Sequence, residues 1–204
     1  MCSSDLEGHQ FVKLREAVLS GLPQGVQQHV LTAFWNYLLL MELARKIIVD
    51  EEKYSYNRHE VRQAFLAVVA AYGEDPGTEQ GDFSERLLAL VDEIALRRDE
   101  MGDLSTTAQV TELVYLKNVH DLSNSLSEYL SAVRKEDIWL LFDNIDKGWP
   151  VNAPKPEDIL LLKSLLEATR KLQRQFESRS VDCNALVFLR NDIYPSSSKL
   201  TPLC

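Results

Sequence analysis

The stretch Ile138-Trp-Leu-Leu-Phe-Asp143-Asn-Ile-Asp146-Lys-Gly-Trp-Pro150 decides how this chain folds. Its apolar part, Ile138 to Phe142, is short, continuous and bounded by charge on both sides. Such a run suits a strand buried on both faces, as in a parallel sheet, rather than an amphipathic helix. Ending the run on Asp143 delivers a carboxylate to the strand's C-terminal tip, the edge at which open α/β sheets bind their ligands.

Downstream lies a second run of the same kind, Ala185-Leu-Val-Phe-Leu189. Between the two, Pro156-Glu-Asp158 carries proline and acids where a helix should begin. Leu162, Leu165, Leu166, Leu172 and Phe176 follow at helical spacing and form its expected inner face. Strand, long helix and strand predict a βαβ unit with a right-handed crossover.

Upstream the pattern is helical. Val30 to Val49 is apolar on nearly every face, so it should lie inside the fold with neighbours all round. Asn57 to Tyr72 places Val61, Phe65, Leu66, Val68 and Val69 at helical spacing and ends at Gly73. Asp82-Phe-Ser-Glu85 resembles a capping box ahead of the stripe Leu87, Leu88, Val91 and Ile94. Leu122, Leu126, Tyr129, Leu130 and Val133 mark one more amphipathic helix. No internal repeat or low-complexity tract interrupts this order.

The extended form of the opening motif, Asp143-Asn-Ile-Asp146-Lys147-Gly-Trp-Pro150, resembles the Walker B segment of the STAND and KAP-like prokaryotic P-loop ATPases, which belong to the AAA-related group. Leu186-Val-Phe-Leu-Arg190-Asn-Asp-Ile-Tyr194 resembles the next core strand, which ends in the sensor-1 residue. The resemblance implies an α/β fold: part of a P-loop parallel sheet carrying a large, mainly helical insertion, helix-dominated as a whole. It divides the chain into a helical region, 1–134, and a Walker B and sensor-1 half, 135–204.

Roles follow from the resemblance residue by residue. Asp143 matches the aspartate that holds Mg²⁺ through water, as suits a hard cation that arrives on a nucleotide and keeps several waters. Asp146 matches the second acid, which orients or deprotonates the attacking water. Asn144 stands where many relatives carry an acid, and an amide cannot accept that proton, so Asp146 is the better candidate for the base. Lys147 matches the motif's basic residue, with a solvated loop lysine as the alternative. Asp143, Asn144 and Lys147 would together meet the nucleotide. Arg190 would face the γ-phosphate region from the neighbouring strand tip. Arg170, on the intervening helix, is either an arginine finger acting in trans or a surface arginine.

A phosphate loop needs Gly-x-x-x-x-Gly-Lys-Ser/Thr, whose backbone N–H groups and lysine cradle the phosphates. None of the glycines at 8, 21, 25, 73, 77, 81, 102 and 148 fits that spacing. The chain is therefore expected to begin after the family's P-loop and to end before the core is complete. ATP with Mg²⁺ is the implied ligand, and a P-loop-bearing partner chain or a homo-oligomer the implied assembly. Alone, the chain is expected to be an inactive piece of a regulatory or defence-type ATPase. The alternatives are a non-catalytic helical interaction module and a decayed gene product.

The rest of the composition narrows the setting. Asp and Glu number 31 against 22 Lys and Arg, a net charge of -9, which disfavours general nucleic-acid binding. Cys2, Cys183 and Cys204 form no CxxC pair and read as free thiols in a reducing compartment. His9, His29, His59 and His120 have no metal-ligand spacing, and no serine sits in a GxSxG motif. Neither a signal peptide nor a membrane span is legible, since Glu42, Arg45 and Lys46 interrupt the most apolar stretch. A cytoplasmic location is the expectation.

Overall fold

The computed structural model describes residues 13–20, 22–53, 58–73, 83–101, 107–115, 118–134, 137–147, 149–150 and 154–191. Among these residues a short π-helical segment, Arg15–Leu19, precedes six helices and two strands. The helices are α1 (Gln24–Lys53), α2 (His59–Tyr72), α3 (Phe83–Met101), α4 (Thr107–Val114), α5 (Val119–Ala132) and α6 (Pro156–Glu177). The strands are β1 (Asp137–Phe142) and β2 (Asp182–Val187), on either side of α6.

α1 is the central element, as its all-round apolarity requires. Val30, Phe34, Trp35, Leu38, Leu40 and Ala44 are buried, and α1 packs against α2, α4, α5 and α6. The Trp35 indole donates to the Leu161 carbonyl of α6 at 3.3 Å and meets the Phe142 ring edge-on at 6.5 Å. One hydrophobic core therefore runs through the described parts of both 1–134 and 135–204.

The helix termini follow local chemistry. α2 stops where Gly73 adopts φ 68° and donates its N–H to the Val69 carbonyl at 2.9 Å, a left-handed turn that a side chain disfavours. Asn118 caps α5 by accepting from the His120 and Asp121 N–H groups, both at 3.2 Å. Pro156 opens α6, and the Asp158 carboxylate accepts from the Lys155 N–H at 2.9 Å. Asp82, the first residue of the expected capping box, lies outside the described residues.

β1 and β2 pair in parallel, from Asp137↔Asp182 to Phe142↔Val187, with α6 as the crossover. β2 starts three residues before Ala185 and stops at Val187, two before Leu189. Its early start follows the turn at 178–180, in which Ser180 takes φ 58° and Val181 donates to the Phe176 carbonyl. Its early end follows β1: after the last ladder bond, Phe188 N–H to Phe142 carbonyl at 2.9 Å, Asn144 takes φ 59° and turns the chain away.

The sheet is not buried on both faces. Ile138, Leu140, Phe142, Cys183, Ala185 and Val187 face the helical core. On the other face Trp139, Leu186 and Phe188 are 50%, 43% and 50% exposed. Among the described residues α6 alone joins the two strands, so one layer of helices covers one side. The fold is thus helix-dominated, with a two-stranded parallel sheet at its margin. No described helix is long and apolar enough to cross a membrane.

Candidate functional site

The residues beyond β1 fold into two overlapping turns. Lys147 donates its N–H to the Asn144 carbonyl at 3.0 Å, and Trp149 donates to the Asp146 carbonyl at 3.1 Å. Ile145, Asp146 and Trp149 point inward and are buried, whereas Asp143, Lys147 and Pro150 are exposed. This alternation pins the loop beneath the sheet edge and leaves its polar tip in water.

Asp143 stands directly after β1 with its carboxylate exposed. Its Oδ1 accepts the Asn144 N–H at 2.9 Å, a bond that the positive φ of Asn144 permits. Asparagine tolerates this left-handed conformation better than most residues, which gives Asn144 a backbone role whatever its side chain does.

Asp146 and Arg190 are brought together. Asp146 Oδ2 accepts the Arg190 backbone N–H at 2.7 Å and lies 3.7 Å from its Nε. The same guanidinium donates from Nη2 to the Trp149 carbonyl at 3.1 Å and reaches the Pro150 carbonyl at 3.5 Å. Arg190 thus clamps the loop after β1 to the exit of β2. Register accounts for it: with Phe142 opposite Val187, residues three or four beyond each end emerge side by side. Sequence reading placed both residues at this edge without pairing them, because the register that brings offsets of four and three residues together is set between the strands and not within either.

Lys147 is exposed at the loop tip. Arg170 sits on the solvent face of α6 beside Lys171 and Arg174, and no hydrogen bond or ion pair joins it to the loop. Among the described residues no cluster of three or more His, Cys, Asp or Glu side chains could hold a metal. Cys183 is buried on β2, and burial pushes its thiol up to about 11, which disfavours the thiolate that a ready nucleophile needs.

The chemical capacity of this edge is an oriented, solvent-facing carboxylate at Asp143, backed by a buried acid and arginine that fix the loop's shape. Asp192, Ile193 and Tyr194 of the sensor-like segment lie outside the described residues. No protein-family model, curated protein or solved structure matches the chain.

Proposed function

We propose that this chain is the Walker B and sensor-1 half of a prokaryotic STAND or KAP-like P-loop ATPase, meeting Mg-ATP together with a phosphate loop supplied by another segment or chain. The observation that carries this reading is the parallel β1–α6–β2 unit, with Asp143 exposed at the β1 exit and Asp146, in the loop after it, joined to Arg190 at the β2 exit. Ligand-binding edges of α/β sheets are built this way.

Asp143 fits a magnesium-bearing nucleotide. One carboxylate oxygen is held by the Asn144 N–H, which fixes the group's direction, and Oδ2 has no hydrogen-bond partner among the described residues. A single hard oxygen of this kind suits a cation that keeps most of its waters. Magnesium, when bound, supplies charge neutralisation on the phosphates. Asp146 holds the loop through Oδ2, so only its other oxygen is open to a water. Arg190 braces that loop and sets the spacing between the two strand exits.

Without a phosphate loop the chain alone should bind Mg-ATP with a dissociation constant on the order of a millimolar or weaker, and should not turn it over measurably. Paramagnetic broadening by Mn-ATP reads such weak binding residue by residue. The expected result is selective loss of the Asp143, Asn144, Lys147 and Arg190 amide signals, abolished by Asp143→Asn with the fold intact. Broadening spread over the surface, or indifferent to Asp143→Asn, overturns the assignment.

A second reading, a non-catalytic interaction module, gains from the mutual engagement of Asp146 and Arg190 and from the bare apolar sheet face. Under it Asp143→Asn changes no nucleotide signal, because there is none to lose.

A further inference from the structure

We propose that the free edge of β1 is a docking site for an extended segment of another protein, added to the sheet as a third strand, with a basic residue near Asp137. This inference is independent of the nucleotide reading.

The ladder fixes which peptide groups are available. Phe142 accepts from the Phe188 N–H, so in parallel pairing Ile138, Leu140 and Phe142 direct their N–H and C=O groups toward β2. Asp137, Trp139 and Leu141 direct theirs to the opposite side. Among the described residues the sheet has two strands, and no hydrogen bond takes up the Trp139 or Leu141 peptide groups. Unpaired groups along an apolar strand are a template for another strand.

The space beside this edge is already shaped. A cleft of about 310 Å³ runs along it, lined by all six residues of β1 and by Trp35, Leu39, Leu43, Ile47, Phe83 and Leu130. Six strand residues at about 3.3 Å each give a linear site roughly 20 Å long, which matches an extended peptide rather than a compact ligand. Apolar side chains at alternate positions of the incoming strand would fill the cleft while its backbone meets Trp139 and Leu141. Backbone pairing supplies affinity and the alternate pockets supply selectivity in strand addition.

Charge indicates the rest of the partner. Three carboxylates (Glu42, Asp50 and Asp137) and one ammonium (Lys46) line the cleft. Glu42 is held by Arg86, and Asp50 by Lys46 at 3.0 Å. Asp137 accepts only the Trp139 indole N–H, at 2.9 Å, and has no cation among the described residues. A lysine or arginine on the incoming segment would complement it, and the net charge of -9 favours the approach of such a segment.

The full chain, isotopically labelled, is titrated with acetyl-Lys-Thr-Val-Thr-Val-Thr-Val-Lys-amide while amide exchange is followed. At saturation, exchange at Trp139 and Leu141 should slow at least tenfold, and Leu140 and Phe142, already bonded to β2, should change much less. The same peptide N-methylated at alternate residues should not bind. Exchanging both lysines for glutamates should weaken binding at least threefold at low salt, and Asp137→Asn should shrink that difference. Four outcomes overturn the proposal: equal binding of the N-methylated peptide, no slowing at Trp139 and Leu141, slowing that rises with protein concentration alone, or protection already present in the dilute monomer. The third would give the edge to a second copy of the chain, and the fourth to a segment of the chain itself.

Discussion

Asp146 contrasts an architectural duty with a chemical one in a single side chain. Its Oδ2 takes the Arg190 N–H at 2.7 Å in a place where only 4% of the residue reaches solvent. Asp146→Ala leaves that N–H without its acceptor and removes the carboxylate 3.7 Å from the Arg190 Nε, while the guanidinium keeps its bonds to the loop carbonyls, and should cost about 1–3 kcal/mol of stability, read by urea denaturation. Asp146→Asn keeps an acceptor and should cost less than half as much. Equal stability of the alanine variant and the parent would remove the clamp from the account. Cys183 permits a pH prediction. Burial raises its thiol from 9.0 to about 11, so above pH 9 the unfolded chain loses a proton that the folded chain retains. The stabilisation is complete below pH 9 and is lost as pH rises to 11, up to about 2–3 kcal/mol for a two-unit shift. Thermal melts of the parent should therefore fall further between pH 8.5 and 11 than those of Cys183→Ala; parallel slopes would refute it.

Between elements, the join of α3 to α1 rests on a buried ion pair. Arg86 Nε and Nη2 donate to the two Glu42 carboxylate oxygens at 2.7 and 2.6 Å, with both side chains about nine-tenths buried. Removing one partner strands a buried charge, so Arg86→Ala should destabilise by about 3–5 kcal/mol. Arg86→Met combined with Glu42→Leu replaces the pair with apolar volume and should recover most of that loss. A double variant as weak as the single one would show that the pair is net stabilising. Reading the sequence located α1, α2, α3, α5 and α6 by their apolar residues, yet left Arg86 and Glu42 as ordinary polar residues. They are 44 positions apart, and nothing local marks them as neighbours.

For the whole molecule, the uncovered sheet face sets solution behaviour. Trp139, Leu186 and Phe188 form an apolar patch on a chain kept apart by net negative charge. Near the isoelectric point of about 5.0 that repulsion vanishes and the patch is free to associate. Light scattering should peak near pH 5, and Leu186→Thr with Phe188→Thr should lower the peak without shifting it, since neither exchange alters charge. An unchanged peak would assign association to another surface.

The amino-acid sequence determined the two parallel strands, the helix joining them and the buried central helix, because each is encoded by the local spacing of apolar side chains and by start and stop residues. It also determined that Asp143 would stand at a strand exit, since the apolar run ends there. Only the tertiary structure decided that Asp146 and Arg190 hold each other, that one sheet face lies bare and that the edge of β1 borders a cleft. These depend on strand register and on which surfaces the helices cover. Both are set by packing between segments far apart in the chain, where periodicity carries no information.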